Sequence, residues 1–265
     1  MQLTTLDTVE LNFAQHGEQG PPLIILHGLF GSARNWQGIA KQLSNHFSVF
    51  TVDLRNHGSS AHADRMDYPS MAADVLGFMH QQGITEAVLI GHSMGGKVAM
   101  QLALSNPNKF TRLIVVDIAP VAYKHNFDEV LAGLYHVPIK SITSRKEADQ
   151  YLAEKITTLS LRQFLLQNLV TNSDGHYQWR VNLAGIEQSM PAIMGFSAAA
   201  GELFSKPSLF INGGQSSYLS ARYRTTASEL FPQAQFQTID GAGHWPHVES
   251  PLEFMAYLNA FLNPQ

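Results

Sequence analysis

A serine flanked by glycines lies near the middle of the chain, in the run Gly91-His92-Ser93-Met94-Gly95. This is the G-x-S-x-G pattern of a nucleophile elbow, a strained turn between a strand and a helix that exposes a serine hydroxyl. A buried strand is predicted over 86–90, and a helix with an apolar stripe is predicted after the motif, so the required context is present. A side chain in place of either glycine would collide with the neighbouring strand or helix. We therefore predict that Ser93 is a nucleophile.

A general base for this serine is predicted at His244, on the glycine-rich loop 241–246 that follows the last predicted strand. In a parallel sheet that loop opens at the same edge as the elbow. Its imidazole can therefore take the proton of the Ser93 hydroxyl and return it to a leaving group. Three other histidines next to motif glycines are expected to make structural hydrogen bonds: His27, His57 and His92.

The carboxylate partner of His244 is predicted at Asp117, which ends the strand directly after the nucleophile strand. Adjacent strand ends are roughly 5 Å apart, so this carboxylate can reach the imidazole and fix its tautomer. Asp240, on the same loop as His244, is a rival acid. A dyad completed by Ser216 and a water molecule is the third arrangement.

An oxyanion site needs two backbone N–H groups that point at the same place. One is predicted at Met94, which begins the helix after the elbow, where free donors cluster. The other is predicted in the loop 27–31 after an apolar strand, at Leu29 first and at Phe30 as the next choice.

The elements that must position these residues are short apolar strands alternating with amphipathic helices, which indicates an α/β fold with a mostly parallel sheet. Residues 3–14 alternate in the manner of antiparallel edge strands. The remaining strands are predicted at 23–26, 48–52, 86–90, 113–116, 208–211 and 235–239.

One long segment interrupts this alternation. Residues 119–206 carry helical patterns and no convincing strand series, so we predict a helical cap, or lid, inserted into a core formed by 1–118 and 207–265. The segment would lie over the carboxyl edge of the sheet, above the predicted nucleophile. Candidates for binding substrate are Phe30, Tyr123, Tyr218 and Trp245.

Composition excludes several classes of function. The 265 residues have a net charge of −4 and no basic cluster, which argues against binding nucleic acid. Cysteine is absent, and no histidine spacing typical of zinc sites occurs, so we expect neither a metal nor a cofactor. Neither a signal peptide nor a membrane-spanning run is evident, and a cytoplasmic location is expected. A monomer and a homodimer both remain open.

These motifs together resemble the α/β-hydrolase superfamily, and within it the YbfF-type bacterial esterases. The resemblance spans the whole chain and rests on the loops 27–32, 53–58, 91–97, 117–121 and 241–245 and on the cap segments 163–166 and 179–182. It implies the α/β-hydrolase fold, with a twisted sheet of eight strands. It also implies that the acid has moved to Asp117 from its usual loop, where Ser216 now stands.

The resemblance implies a serine esterase acting on small acyl esters, with acyl-CoA thioesters as further candidates. Enzymes that form an alkyl-enzyme ester need a carboxylate nucleophile, so Ser93 argues against epoxide hydrolysis and dehalogenation. A cofactor-free perhydrolase or a C–C bond hydrolase would use the same residues. A ligand receptor that keeps the fold without catalysis is the rival from another class.

Overall fold

A computed structural model describes residues 8–124 and 127–262 of the chain. The strands in these residues are β1 (Phe13–His16), β2 (Pro22–Leu26), β3 (Ser48–Val52), β4 (Ala87–His92), β5 (Phe110–Val116), β6 (Leu169–Thr171), β7 (Tyr177–Trp179), β8 (Ser208–Gly213) and β9 (Ala234–Ile239). All except β6 and β7 join one sheet, in the order β1-β3-β2-β4-β5-β8-β9. The pairing is parallel throughout except for β1, which runs antiparallel to β3 at one edge.

The predicted α/β fold with a mostly parallel sheet is confirmed, but the predicted number of strands is wrong for the described residues. They form a central sheet of seven strands where eight were expected. The antiparallel opening of the sheet is a single four-residue strand, Phe13–His16. Residues 3–7 of the predicted segment 3–14 lie outside the described residues.

Helices cover both faces of the sheet, which is why its central strands are apolar without alternation. The helices are α1 (Gln37–Leu43), α2 (Tyr68–Gln81), α3 (Met94–Ser105), α4 (Asp128–His136), α5 (Arg145–Ala153), α6 (Leu159–Leu166), α7 (Leu183–Met194), α8 (Ala221–Leu230), α9 (Pro246–Glu249) and α10 (Pro251–Leu262). On β2, Leu23 and Ile25 pack with α1 and α10, whereas Ile24 and Leu26 pack with α2 and α3. Each such fully buried side chain contributes about 1.5–3 kcal/mol.

The segment between β5 and β8 holds four helices, α4 to α7, and one hairpin. The hairpin pairs β6 with β7 and is the exception to the expected all-helical cap. Its strands have three residues each, too few for an alternating pattern to appear in the sequence. Buried side chains of the inserted helices share one apolar cluster with α2 and α3. The division of the chain into core and lid stays a prediction.

The longest helix, α2, has 14 residues and therefore spans about 21 Å. In the part of the chain that the structure describes, no helix combines the length and the apolar character needed to cross a bilayer.

A buried ion pair ties α2 to the loop after β3. The guanidinium of Arg55 donates from Nε to Asp74 Oδ2 at 2.5 Å and from Nη2 to Asp74 Oδ1 at 2.6 Å. Both side chains are almost fully buried. The pair holds the loop 53–58, which carries His57, against the helix.

We expect Asp74→Asn to lower the free energy of unfolding by about 3 kcal/mol or more, because it removes the charged acceptor of two hydrogen bonds from the buried Arg55 guanidinium. Urea denaturation measures the loss. The matched control is Asp149→Asn, which breaks a partly exposed pair with Arg162 and should cost about 1 kcal/mol or less. Equal losses in the two variants would contradict this account of the loop.

Candidate active site

The strand-turn-helix expected around the serine is present, with β4 ending at His92 and α3 beginning at Met94. Ser93 has φ 52° and ψ −120°, a strained conformation for a residue other than glycine. A Cβ at Gly91 would lie 2.2 Å from the carbonyl oxygen of Gly95, and one at Gly95 would lie 2.4 Å from that of His27. The predicted need for both glycines is therefore confirmed.

His244 lies beside the serine, on the loop between β9 and α9. Its Nε2 is 3.1 Å from Ser93 Oγ, and its Nδ1 is 2.7 Å from Asp117 Oδ2. A carboxylate only accepts hydrogen bonds, so the proton of the neutral ring is assigned to Nδ1. Nε2 then carries a lone pair and can accept the Ser93 hydroxyl proton. This is the geometry that a general base requires.

The carboxylate of Asp117 is completely buried at the end of β5, between the strand that carries the serine and β8. Besides His244, it accepts hydrogen bonds from the Ser216 hydroxyl at 2.5 Å and from the Gly213 N–H at 3.1 Å. Three donors compensate for taking this group out of water. The structure thus brings Asp117 and Ser216 together as expected. The hydrogen bonds of the His244 ring in the described residues go to Asp117 and Ser93, and none goes to the rival acid Asp240.

The loop 27–31, which carries Leu29 and Phe30, the two candidates for the second oxyanion donor, lies against the elbow. The Phe30 N–H donates to His57 Nε2 at 3.0 Å and is therefore occupied. In the described part of the chain the Leu29 N–H has no partner, and Met94 is the first residue of α3, so its N–H lacks an intrahelical acceptor. Both residues border the cavity beside Ser93. The geometry favours Leu29 and Met94, the first choices.

Two of the three structural histidines, His27 and His57, act as hydrogen-bond acceptors in their neutral form. His27 Nε2 accepts the Leu54 N–H at 3.0 Å, just as His57 Nε2 accepts that of Phe30. Burial lowers the pKa of His27, and it lowers the pKa of His57 to about 3. An uncharged ring is what an acceptor nitrogen needs, so burial preserves the path of the oxyanion loop.

Two aromatic side chains hold the base: Tyr218, whose contact sequence reasoning missed, and His92, which makes a structural hydrogen bond as predicted. Tyr218 stacks on the His244 ring with 4.3 Å between centroids. His92 Nε2 donates to the His244 carbonyl oxygen at 2.8 Å, and burial keeps the pKa of His92 well below its usual value. The position of His92, directly before the nucleophile, was the only signal of this contact in the sequence.

A cavity of about 290 Å³, including its open mouth, begins at Ser93. Its walls come from the loop after β2, from α2, α3 and α7, and from the segments after β5 and β8. The residues are Leu29, Tyr68, Ser93, Met94, Lys97, Ile118, Tyr123, Phe127, Ile193, Met194 and Tyr218.

Two of the four predicted substrate-binding residues, Tyr123 and Tyr218, therefore border this cavity. Phe30 and Trp245 do not. Phe30 is buried with its ring against Phe127, because the two hydrogen bonds of its backbone hold it inside the loop. Trp245 packs outside the cavity, with Phe164 of α6 and with the His244 ring.

Comparisons with known proteins agree with the observed fold. A family model described as alpha/beta hydrolase fold matches residues 21–251. A protein of Xenopus laevis named sn-1-specific diacylglycerol lipase ABHD11 is 43% identical over 92% of this chain and 79% of its own length. Esterase YbfF of Escherichia coli is 36% identical over 94% of this chain and 96% of its own. A solved marine microorganism esterase superposes with a TM-score of 0.94 at 40% identity, covering 96% of this chain and 100% of that one.

The hydrogen bond from His244 to Asp117 should control the reactivity of Ser93. We expect Asp117→Asn to slow labelling of Ser93 by a fluorophosphonate probe by about 10³-fold or more, since the asparagine favours the wrong imidazole tautomer. Asp240→Asn is the matched control and should label at the rate of the unsubstituted chain. If only Asp240→Asn slows labelling, the assignment of the acid is wrong.

The buried, neutral His57 should make the fold sensitive to acid. Its folded pKa of about 3 lies below the unfolded value of 6.5. Its contribution to stability is therefore complete above pH 6.5 and is lost as the pH falls towards 3, by about 2 kcal/mol at pH 5. His57→Gln keeps an acceptor that does not titrate.

The free energy of unfolding should consequently fall less between pH 7 and pH 5 in His57→Gln than in the unsubstituted chain, by about 2 kcal/mol. Denaturant titration at the two pH values measures the difference. Parallel pH dependence in the two proteins would show that His57 is not the buried neutral acceptor described here.

Proposed function

The chain belongs to the alpha/beta hydrolase fold family, and we propose that it hydrolyses carboxylic esters through an acyl-enzyme formed on Ser93. Its relatives are named esterases or lipases, and it is a carboxylic-ester hydrolase like them. The observation that carries the finer proposal is the continuous hydrogen-bonded path from Ser93 Oγ through the His244 ring to Asp117 Oδ2, at 3.1 and 2.7 Å.

In the first half of the reaction, Ser93 Oγ attacks the ester carbonyl carbon while His244 Nε2 takes the hydroxyl proton. The positive charge that forms on the imidazole is stabilised by the Asp117 carboxylate. Negative charge develops on the carbonyl oxygen, which the N–H groups of Leu29 and Met94 can bind. Each such donor contributes about 3 kcal/mol to the stability of the transition state.

In the second half, the tetrahedral intermediate collapses and His244 gives its proton to the departing alcohol oxygen, leaving an acyl ester on Ser93. A water molecule then occupies the place of the alcohol and loses its proton to His244 Nε2 as it attacks the acyl carbon. The proton returns to Ser93 Oγ when the carboxylic acid leaves. The same hydrogen-bonded path therefore serves both halves.

Asp117 suits this role because its surroundings fix it before the substrate arrives. The Gly213 N–H donates to Oδ1, and the Ser216 hydroxyl donates to Oδ2, the oxygen that also binds His244. The carboxylate therefore needs no reorientation when charge appears on the imidazole, which is the advantage of a preorganised site. Ser216 acts here as a positioning residue on the loop after β8.

The predicted lid supplies part of the substrate site. Four residues of the inserted segment border the cavity. Two lie before α4, Tyr123 and Phe127, and two end α7, Ile193 and Met194. The inserted segment thus closes the space above Ser93 with apolar side chains. We propose that residues 119–206 form a cap that selects the substrate, while the core supplies the chemistry.

The proposal is tested with p-nitrophenyl acetate and with an acyl-CoA thioester offered beside it. The unsubstituted chain should hydrolyse the ester, and Ser93→Ala should lose about 10⁴-fold or more in kcat, because the nucleophile is gone. Ser189→Ala is a matched control, since Ser189 and Ser93 are both 8% exposed and Ser189 only donates to a backbone oxygen. It should keep its activity.

Intact mass spectrometry during turnover should show the acyl group on the unsubstituted chain and none on Ser93→Ala. A chain that binds esters without hydrolysing them or becoming acylated would be a receptor, and the proposal would be wrong. Turnover of the thioester alone would restrict the proposed substrate class to thioesters.

A further inference from the structure

The cavity beside Ser93 is separated from an outer groove by a thin wall. Tyr68 borders both spaces. Helix α3 gives Lys97 to the cavity and Gln101, one turn later, to the groove. The end of α7 is divided in the same way, with Met194 on the cavity side and Ala192 on the groove side.

The wall is held together at the carboxyl end of α7, where carbonyl groups lack partners within the helix. The Tyr68 hydroxyl donates to the Ile193 oxygen at 2.5 Å. Lys97 Nζ donates to the Met194 oxygen at 3.0 Å and to the Gly195 oxygen at 2.7 Å. We call Tyr68, Lys97 and residues 193–195 the α7 end wall.

Lys97 is an unusual component of such a wall, because it is a buried cation bonded to backbone carbonyl oxygens. None of the described carboxylates forms an ion pair with it. Its charge faces instead the negative end of α7 and the ring of Tyr123, 4.8 Å from Nζ. Burial lowers the pKa of Lys97 to about 7. The wall is held by the hydrogen bonds that Tyr68 and Lys97 donate to the end of α7.

The position of the base shows which part of an ester this cavity receives. His244 must protonate the leaving group, so the alcohol portion lies beside its ring. Tyr218, whose ring stacks on His244, borders the cavity in place of the base, and Tyr68 and Lys97 of the wall border it as well. The acyl portion therefore fills the cavity and points at the α7 end wall.

We propose that the α7 end wall limits the length of the acyl group, and that the outer groove would receive a longer chain if the wall were removed. This inference rests on the proposed ester hydrolysis. The volume of about 290 Å³ includes the open mouth, so the enclosed space between Ser93 and the wall is smaller still. The intact enzyme should therefore prefer short acyl groups over long ones.

The test is a series of p-nitrophenyl esters from acetate to decanoate, compared by kcat/KM. Tyr68→Ala removes the ring between the two spaces and should raise the ratio of decanoate to butyrate hydrolysis by at least about tenfold, since each newly buried methylene contributes about fourfold. Lys97→Met removes the donors to α7 and should shift the ratio in the same direction. Tyr68→Phe, which keeps the ring, should produce a smaller shift.

Two further variants make the test specific. Tyr68→Ala combined with Ala192→Trp fills the groove and should abolish the gain for decanoate. Tyr135→Ala removes an exposed tyrosine of α4 whose hydroxyl donates to Glu187 of α7, and it should leave the ratio unchanged. A second series keeps the acetyl group and lengthens the alcohol, and its profile should not respond to Tyr68→Ala.

An unchanged acyl-length profile in folded variants that still hydrolyse butyrate would overturn the inference and leave the proposed function intact. So would a shift confined to the alcohol series, because the wall would then border the leaving-group site. Absence of ester hydrolysis by the unsubstituted chain would overturn the proposed function itself.

Discussion

The site depends on one buried carboxylate that joins three strand ends. Asp117 follows β5, and its side chain accepts hydrogen bonds from residues that follow β8 and β9. Through His244 it reaches Ser93, which follows β4. A carboxylate without exposure to water is costly unless donors surround it. The same bonds that compensate for its burial therefore fix the imidazole, so folding and the chemistry of the serine share one interaction.

Much of this site follows from the sequence because motif spacing and sheet topology restrict it strongly. The glycines around Ser93 mark the elbow, and carboxyl ends of neighbouring parallel strands must meet at one edge. This reasoning brings Ser93, His244 and Asp117 together, as the structure does. Other features depend on tertiary packing. The stacking of Tyr218 on His244 and the occupation of the Phe30 N–H by His57 involve residues far apart in the chain.

The inserted segment contains features that sequence patterns did not predict. Strands of three residues are too short to show the alternation of apolar and polar residues, so the hairpin of β6 and β7 was not predicted. The contacts at the end of α7 were also not predicted. Lys97 reads as one residue of an apolar-striped helix, yet its ammonium group binds carbonyl oxygens almost a hundred residues away. The motifs of the fold and of the catalytic residues can therefore be recognised in short segments of sequence, whereas the shape of the cavity cannot.

The hydrogen bond between His244 Nδ1 and Asp117 is tested most directly by proton NMR of the folded chain, with the histidine rings labelled with ¹⁵N. The account predicts a strongly downfield ring proton on His244, protected from exchange, that disappears in Asp117→Asn while the fold is retained. A spectrum in which that proton persists without the Asp117 carboxylate, or is absent from the unsubstituted chain, would contradict the account.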